Sequence, residues 1–470
     1  MAPTTKREGW RALATLQREA VRAVVRRTAA PAELDDADAR RQELAKVAVR
    51  LAGSSVRARV RALFAGPRGR RRIREEAARR AARDVAETMG NMKGLAMKFG
   101  QFASFAGGLS ATAEEELEGL QAGAPPMGFD VVRAVLEREL GNDVLRSFAH
   151  FDETPLASAS VGQVHAARLR DGREVVVKVQ YPGIESAILA DFDNLALLTR
   201  AYGTKRVDFD MEAVLEDLCA MMRDEFDYAR EAENQRAFAD RYRGHPAVKI
   251  AEVVDELSTR RVLTSERVSG RRLRDVLDDP QERRDAYGEI IHRFALTSIA
   301  SGVFSGDPHP GNYLFLDDGR VCFLDFGLVK RFEGDGETEL ALAPIEAALR
   351  GDEEALAASL RALGVLPDRG RSNPARLWEE LRPLYCGPID RDEVVQLDPA
   401  AYNRAVRLAQ RPTAEFYKCR KASRQPPWLS ILLRYTMGTF GVLARLRCEA
   451  NWRSRTEEIL LAAPTPGGTR

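Results

Sequence analysis

Four short stretches of the chain carry side chains suited to a single reaction. Gly306-Asp-Pro-His-Pro-Gly-Asn312 sets a carboxylate and an amide oxygen five residues apart, in a loop that its prolines and glycines keep out of a regular helix. Phe323-Leu-Asp325-Phe-Gly327 ends an apolar run in an acid, an oxygen ligand suited to Mg²⁺, with Gly327 expected to permit the bend that follows. Upstream, Val175-Val-Val-Lys178 closes an apolar strand with an ammonium that phosphate oxygens would neutralise inside a cleft. Before it, Ala157-Ser-Ala-Ser-Val-Gly162-Gln-Val164 is a run of small residues whose turn would aim backbone N–H groups at phosphate. Each has an ordinary structural explanation when alone: a tight turn, a snorkelling lysine, a hydrogen-bonded loop histidine at His309, a chance D-F-G. Together they follow the order that phosphoryl transfer requires. Lys178 would hold the α/β-phosphates, Asn312 and Asp325 the metal, and Asp307 the proton of an attacking hydroxyl or water. The ligands expected are therefore ATP and Mg²⁺.

Those residues need elements to position them. VGQVHAARL and REVVVKVQ are rich in β-branched residues and are joined by Asp171-Gly172, a strong hairpin signal. Helices are expected over about 183–202 and 211–241, then strands in VKIAEVVDE and RRVLTSERV. From Leu273 onward helices dominate, interrupted by the strand pair in NYLFLDDGRVCFLDFG. The plan is α+β: an all-helical N-terminal region, a small mixed lobe and a mostly helical lobe. The longest apolar stretch, Trp428 to Leu446, contains Arg434 and Arg445, which favours a buried helix over a membrane span.

The 470 residues carry 72 basic and 70 acidic side chains, and 44% are hydrophobic, which supplies a sizeable core and excludes wholesale disorder. The near-neutral balance argues against a globally basic nucleic-acid binder. Five scattered cysteines (Cys219, Cys322, Cys386, Cys419, Cys448) without C-x-x-C argue against a disulfide framework or zinc site, and fit a reducing cytoplasm. Charge is uneven: residues 1–83 hold 22 Lys/Arg against 9 Asp/Glu. From Trp10 to Arg27, apolar residues at helical spacing alternate with arginines, which describes either a helix lying on an anionic membrane surface or one docked on the protein. Arginines recur too often there for a signal peptide.

At this point the chain resembles the UbiB/AarF group of atypical, protein-kinase-like proteins. Carrying the resemblance are Lys98-Phe-Gly100-Gln101, which matches the group's K-x-G-Q, the alanine-rich loop, VVVKVQYPGI, EFDYAREAENQRAF, DPHPGN and LDFG. The resemblance implies a two-lobed protein-kinase-like fold with an all-helical N-terminal extension packed over the active site, Lys98, Gly100 and Gln101 lying on that extension. Ala157, Ala159 and Gly162 would occupy the glycine positions of a kinase loop, with Val164 following on the strand. Glu225 would be the helix-borne partner of Lys178, with Glu231 its rival; the two are six apart, about 120° away from each other around one helix. Glu266 would mark the adenine-contacting hinge, Asp307 the base, and Asn312 and Asp325 the metal ligands. The domains expected are a basic region 1–70, the extension 71–128, an ATP-binding lobe 129–269, a helical lobe 270–455 and a flexible tail 456–470.

Departures shape the functional expectation. The H-R-D of protein kinases reads Ser305-Gly-Asp307, and Ala343-Pro-Ile-Glu346 is only an accidental likeness to A-P-E within a helix. An ATPase or small-molecule kinase is therefore preferred to a protein kinase acting in trans or an ATP-gated binding module without catalysis. The resemblance implies an isoprenoid-quinone or other lipid-like effector, peripheral contact with the inner membrane face through the basic N-terminus, and no nucleic-acid partner.

Overall fold

The computed structural model describes residues 127–159, 161–190, 192–193, 219–220, 222–366, 374–381, 389, 391–400 and 426–462. The basic N-terminus and the K-x-G-Q residues Lys98, Gly100 and Gln101 lie outside them. The chain divides into two compact units. One holds residues 1–125, 183–206 and 210–215; the other holds residues 126–182, 207–209 and 216–470, and all that follows concerns it.

Its small lobe is a five-stranded antiparallel sheet. The strands are β1 (Phe148–Phe151), β2 (Ala157–Ser158), β3 (Gly162–Leu169), β4 (Glu174–Gln180) and β6 (Val262–Glu266), in the order β1-β3-β4-β6 with β2 on β3. The Asp171-Gly172 turn joins β3 to β4 as expected, with Gly172 at φ 93° and the Arg173 N–H donating to Asp171 Oδ1. Helix α1 (Phe129–Leu140) buries Val132, Val135 and Leu136 against Val175, Val177 and Val179 of β4. On the same face, Gln163 and His165 are buried polar groups in one hydrogen-bonded chain. His165 Nδ1 lies 2.7 Å from the Asp152 carbonyl, so it carries the proton, and Nε2 accepts from Gln163 Nε2 at 2.9 Å. Burial holds this imidazole below its usual range, in keeping with that neutral form.

The strand expected in VKIAEVVDE splits. Only β5 (Val248–Ile250) forms, and it joins the other lobe, parallel to β9 (Val321–Phe323), which also pairs with β8 (Tyr313–Phe315). Around this sheet pack helix α2 (Tyr228–Arg241), the central helix α3 (Gln281–Ala300), α4 (Glu337–Arg350), α5 (Glu353–Ala362), α6 (Pro374–Leu381), α7 (Pro427–Leu446) and α8 (Trp452–Ala462). Tyr287, Ile291 and Phe294 of α3 share one core with Phe323, Leu443 and Trp452, the Phe294 and Phe323 rings stacked at 3.7 Å. The apolar stretch around α7 is a buried helix, and among the described residues no helix is long and apolar enough to cross a membrane. Ala343-Pro-Ile-Glu346 lies within α4, as its sequence indicated.

Two boundaries move. The long helix expected over 211–241 is interrupted at Phe226-Asp227, where the Asp227 carboxylate caps α2 by accepting from the Ala229 and Arg230 N–H groups. Residues 456–462, expected in a tail, belong to α8, because Trp452, Thr456 and Ile459 recur at helical spacing and are buried as one face; residues 463–470 lie outside the described residues.

Candidate active site

Period-two alternation along β4 decides where the lysine goes. With Val175, Val177 and Val179 committed to the core, Lys178 must occupy the opposite face, flanked across the ladder by Val164 and Leu263. Its Nζ donates to both carboxylate oxygens of Glu231, at 3.0 and 2.8 Å, and lies 4.6 Å from the centroid of the Tyr228 ring. Tyr228 and Glu231 stand three apart in the first turn of α2 and so share a face. Burial alone would push the Lys178 ammonium down; Glu231 foremost, then Tyr228 and Asp325, outweigh it and hold it above the usual lysine range.

The partner of Lys178 is thus Glu231, and the expectation for Glu225 is corrected. The cause is the break at Phe226-Asp227: Glu225 ends the helical stretch 222–225, and Glu231 belongs to the next helix, which faces the sheet. The same helix reaches the D-F-G segment. Asn234 Nδ2 donates to the Phe326 carbonyl at 3.1 Å, and Arg331 Nη1 donates to Asn234 Oδ1 at 2.9 Å. Tyr228, Glu231 and Asn234 lie in the stretch EFDYAREAENQRAF, and their three-residue spacing was the available sign of a shared working face.

The small-residue loop is a hairpin between β2 and β3, with Ala157 opposite Val164. The Ala159 N–H closes the turn on the Gly162 carbonyl at 2.8 Å, so it serves the turn rather than a phosphate. Gly162 has a packing reason as well: a Cβ there would lie 2.3 Å from the Val179 carbonyl oxygen. Glu266 ends β6, where its Oε2 accepts from Lys249 Nζ at 2.7 Å and the Glu252 N–H at 3.2 Å. Its carboxylate is committed to that pair.

On the large lobe, β7 (Val303–Ser305) delivers the loop that holds Asp307 and Asn312. Asn312 Nδ2 donates to the Asp307 carbonyl at 3.0 Å, which orients the amide so that its oxygen is the atom that could ligate a metal. His309 accepts from the Gly311 N–H at 3.1 Å and caps the short turn Pro310–Asn312, a loop role. Asp325 follows β9, and its Oδ1 accepts from the Gly327 N–H at 2.9 Å. Gly327 does not adopt a positive φ, so the expected need for glycine at this bend is corrected: the Asp325 side chain forms the turn.

The two halves meet. A Cβ on Gly327 would lie 3.4 Å from Asp325 Oδ1 and 3.6 Å from Glu231 Oε2, so the D-F-G segment abuts the lysine's partner. Asp307, Asn312 and Asp325 line one cavity with Ser305, Pro308 and Tyr313. One residue there was read only as evidence against a membrane span. Arg434 of α7 donates from Nη2 to Asp307 Oδ1 at 3.1 Å, and both side chains are more than nine-tenths buried (6% and 8% exposed).

All donors on Asn312 and Asp325 are oxygens, the chemistry of a hard cation. Among the described residues no three acidic, histidine or cysteine side chains cluster as a metal site. That donor set fits Mg²⁺, which takes one or two protein carboxylates and completes its shell with substrate phosphates and water.

Comparison with known proteins agrees with this geometry. The sequence profile of the ABC1 atypical kinase-like domain matches residues 119–360. The atypical kinase COQ8, mitochondrial, of Saccharomyces cerevisiae is 32% identical over 257 residues, 53% of this chain and 51% of that protein. The atypical kinase coq-8, mitochondrial, of Caenorhabditis elegans is 32% identical over 292 residues, 60% of this chain and 38% of that protein. The chain spans about half or less of the length of these curated relatives. The solved complex of Rv3197 with erythromycin from Mycobacterium tuberculosis superposes with a TM-score of 0.62 at 30% identity, covering 84% of this chain and 99% of that one. With mixed helices and sheets in a kinase-like domain, and the lysine, acid and amide groups placed around one cleft, the chain belongs to the ABC1 atypical kinase-like family, to which the UbiB/AarF proteins also belong.

Proposed function

We propose that this protein is a Mg²⁺-dependent ATPase or small-molecule kinase. The observation that supports it most is the convergence of Lys178, paired to Glu231, with Asp325 close enough to act electrostatically on the same ammonium. Lys178 would neutralise the α/β-phosphates, and Glu231 would keep it charged and aimed. Asn312 and Asp325 would hold Mg²⁺, which when bound neutralises charge on the transferring phosphoryl group. Asp307 would accept the proton of the attacking hydroxyl or water. The hairpin of β2 and β3 would cover the phosphates, and the backbone beside Glu266 would meet the adenine.

The segment after D-F-G favours a small acceptor over a peptide. Residues 328–336 alone separate Gly327 from α4, and β10 (Val329–Arg331) within them is paired to β7. A peptide-docking activation segment would have to occupy that space. An apolar effector is favoured by a cavity of about 110 Å³ in the helical lobe, lined by Leu296, Ile299, Leu360, Leu432 and Phe440 among others. Its size is near that of engineered apolar cavities of about 150 Å³ that take benzene. The isoprenoid-quinone or lipid link, and contact with a membrane surface through the basic N-terminus, belong to the same proposal.

The test is ATP turnover by the purified full-length protein, with and without Mg²⁺ and anionic liposomes. Asp325→Asn should lower turnover by about 10³-fold or more, since it removes an anionic metal ligand. Undiminished turnover in that variant would place the metal elsewhere and dismiss the assignment.

A further inference from the structure

Buried guanidinium groups are costly, and an apolar helix has no need of one. Helix α7 contains two arginines. Arg445 is exposed, as a charged residue on a packed helix ordinarily is, whereas Arg434 is buried and its Nη2 meets Asp307 Oδ1. From Ser305 to Asn312 the loop contains no arginine or lysine of its own. Two further side chains of α7, Tyr435 and Thr439, line the same cavity as Asp307, Asn312 and Asp325. The helix is thus a wall of the site, and its one buried charge sits on the acid assigned as the base.

We infer that Arg434 is a positioning residue for Asp307, supplying from 127 positions away a guanidinium that the catalytic loop lacks. The inference rests on the phosphoryl-transfer assignment above. Two of the contacts on Asp307 come from the site itself: its carbonyl accepts from Asn312 Nδ2, and its carboxylate accepts from Arg434 Nη2. The second contact restrains the carboxylate from the side of α7. In the step served, a lone pair on the acceptor oxygen forms the new bond to the γ-phosphorus. The bond from phosphorus to the β,γ-bridging oxygen breaks, its electron pair leaving with ADP, and the acceptor's proton passes to the Asp307 carboxylate. Arg434 touches neither reactant and acts only through the acid that it orients. A misplacement of about 1 Å in such a group costs about 10²-fold in rate.

The competing account is a structural ion pair that merely fastens α7 to the loop, and turnover of full-length variants with Mg²⁺ and ATP separates the two. Arg434→Met is expected to lower kcat by about 10²-fold while KM for ATP stays within about threefold, and Arg434→Lys by about tenfold. In an Asp307→Asn background, adding Arg434→Met should lower kcat no further, because the group it positions is already gone. A kcat within twofold of the parent in Arg434→Met, alongside a lowered melting temperature, overturns the inference; so do losses that multiply in the double variant. Should Arg434→Met not fold, Arg434→Lys decides: a tenfold kcat loss at constant KM supports positioning, and an unchanged kcat refutes it. Full turnover in Asp307→Asn would instead remove Asp307 as the base, a failure of the underlying assignment recognisable before any Arg434 variant is made.

Discussion

The two sides of the cleft are organised around ion pairs of opposite purpose. In the small lobe the carboxylate of Glu231 serves the cation, keeping Lys178 charged for the phosphate it is proposed to meet. In the large lobe the cation of Arg434 serves the carboxylate of Asp307. The cations differ in exposure: Lys178 keeps 20% of its side-chain surface exposed, whereas Arg434 keeps 6%, and their carboxylate partners are alike at 5% and 8%. An ammonium that must meet a ligand has to remain reachable; a guanidinium that only orients its neighbour does not. The difference teaches that the exposure of a cation near the site goes with its proposed role: the reachable lysine to meet a ligand, the sealed arginine to support a neighbour.

The largest effect expected in the small lobe comes from breaking its pair. Glu231→Gln leaves Lys178 without its counter-charge in a desolvated position. It should lower kcat/KM for ATP by about 10²-fold and destabilise the fold by about 3–5 kcal/mol. Glu225→Gln should leave kcat/KM within about threefold, because Glu225 takes no part in the bidentate contact. Steady-state turnover and urea unfolding of the two variants side by side make the measurement. Equal damage from both would mean that the working form pairs Lys178 differently and that the contrast between the lobes does not hold.

Legibility in the sequence followed the same division. The small lobe was readable because its signals are local: alternating valines set Lys178 on the face opposite the core, and Asp171-Gly172 fixed the hairpin register. Asp307, Asn312 and Asp325 were readable because proline, glycine and fixed spacing punctuate their loops. The choice between Glu225 and Glu231 was open because it hung on a helix break, and the cap at Asp227 that makes the break also resembles an ordinary surface acid. Arg434 was illegible as a site residue because its partner is 127 positions away and nothing in the apolar pattern of α7 says which way one arginine points. Local chemistry can be read from spacing, whereas a long-range pair is decided by packing.

Acid should expose a second difference between the lobes, smaller in size. His292 of α3 is buried against α8, its Nε2 3.1 Å from Thr456 Oγ1, and burial foremost pulls its imidazole down to about 4. Between about pH 6.5 and 4 the unfolded chain binds a proton that the folded chain refuses, so stability falls as pH drops. At pH 4.5 this single group should remove about 2–3 kcal/mol relative to neutral pH. His165 in the small lobe shifts in the same direction, so the difference between parent and variant is the informative quantity. In His292→Gln the loss of stability from pH 7 to 4.5 should shrink by that amount in chemical unfolding experiments. An identical loss in parent and variant would show that the α3–α8 joint admits the proton and is looser than the buried contact indicates.

The finest test concerns two glycines, one on each side of the cleft, read in the sequence as a phosphate-loop position and as the pivot of a bend. At Gly162 a Cβ would lie 2.3 Å from the Val179 carbonyl oxygen and 2.9 Å from its carbon, both backbone atoms of β4, which cannot swing aside. Gly162→Ala must therefore push β3 away from the strand that carries Lys178, and overpacking of this kind costs about 1–3 kcal/mol. At Gly327 the nearest atoms to a Cβ are at 3.4 Å and 3.6 Å, ordinary contacts, and φ is not positive. Gly327→Ala should change stability by less than about 1 kcal/mol. Thermal melts of the two variants decide between them. If Gly327→Ala proves the more damaging, the turn made by Asp325 needs a backbone freedom not visible here, and the large lobe, rather than the small one, would be where glycine is structurally required.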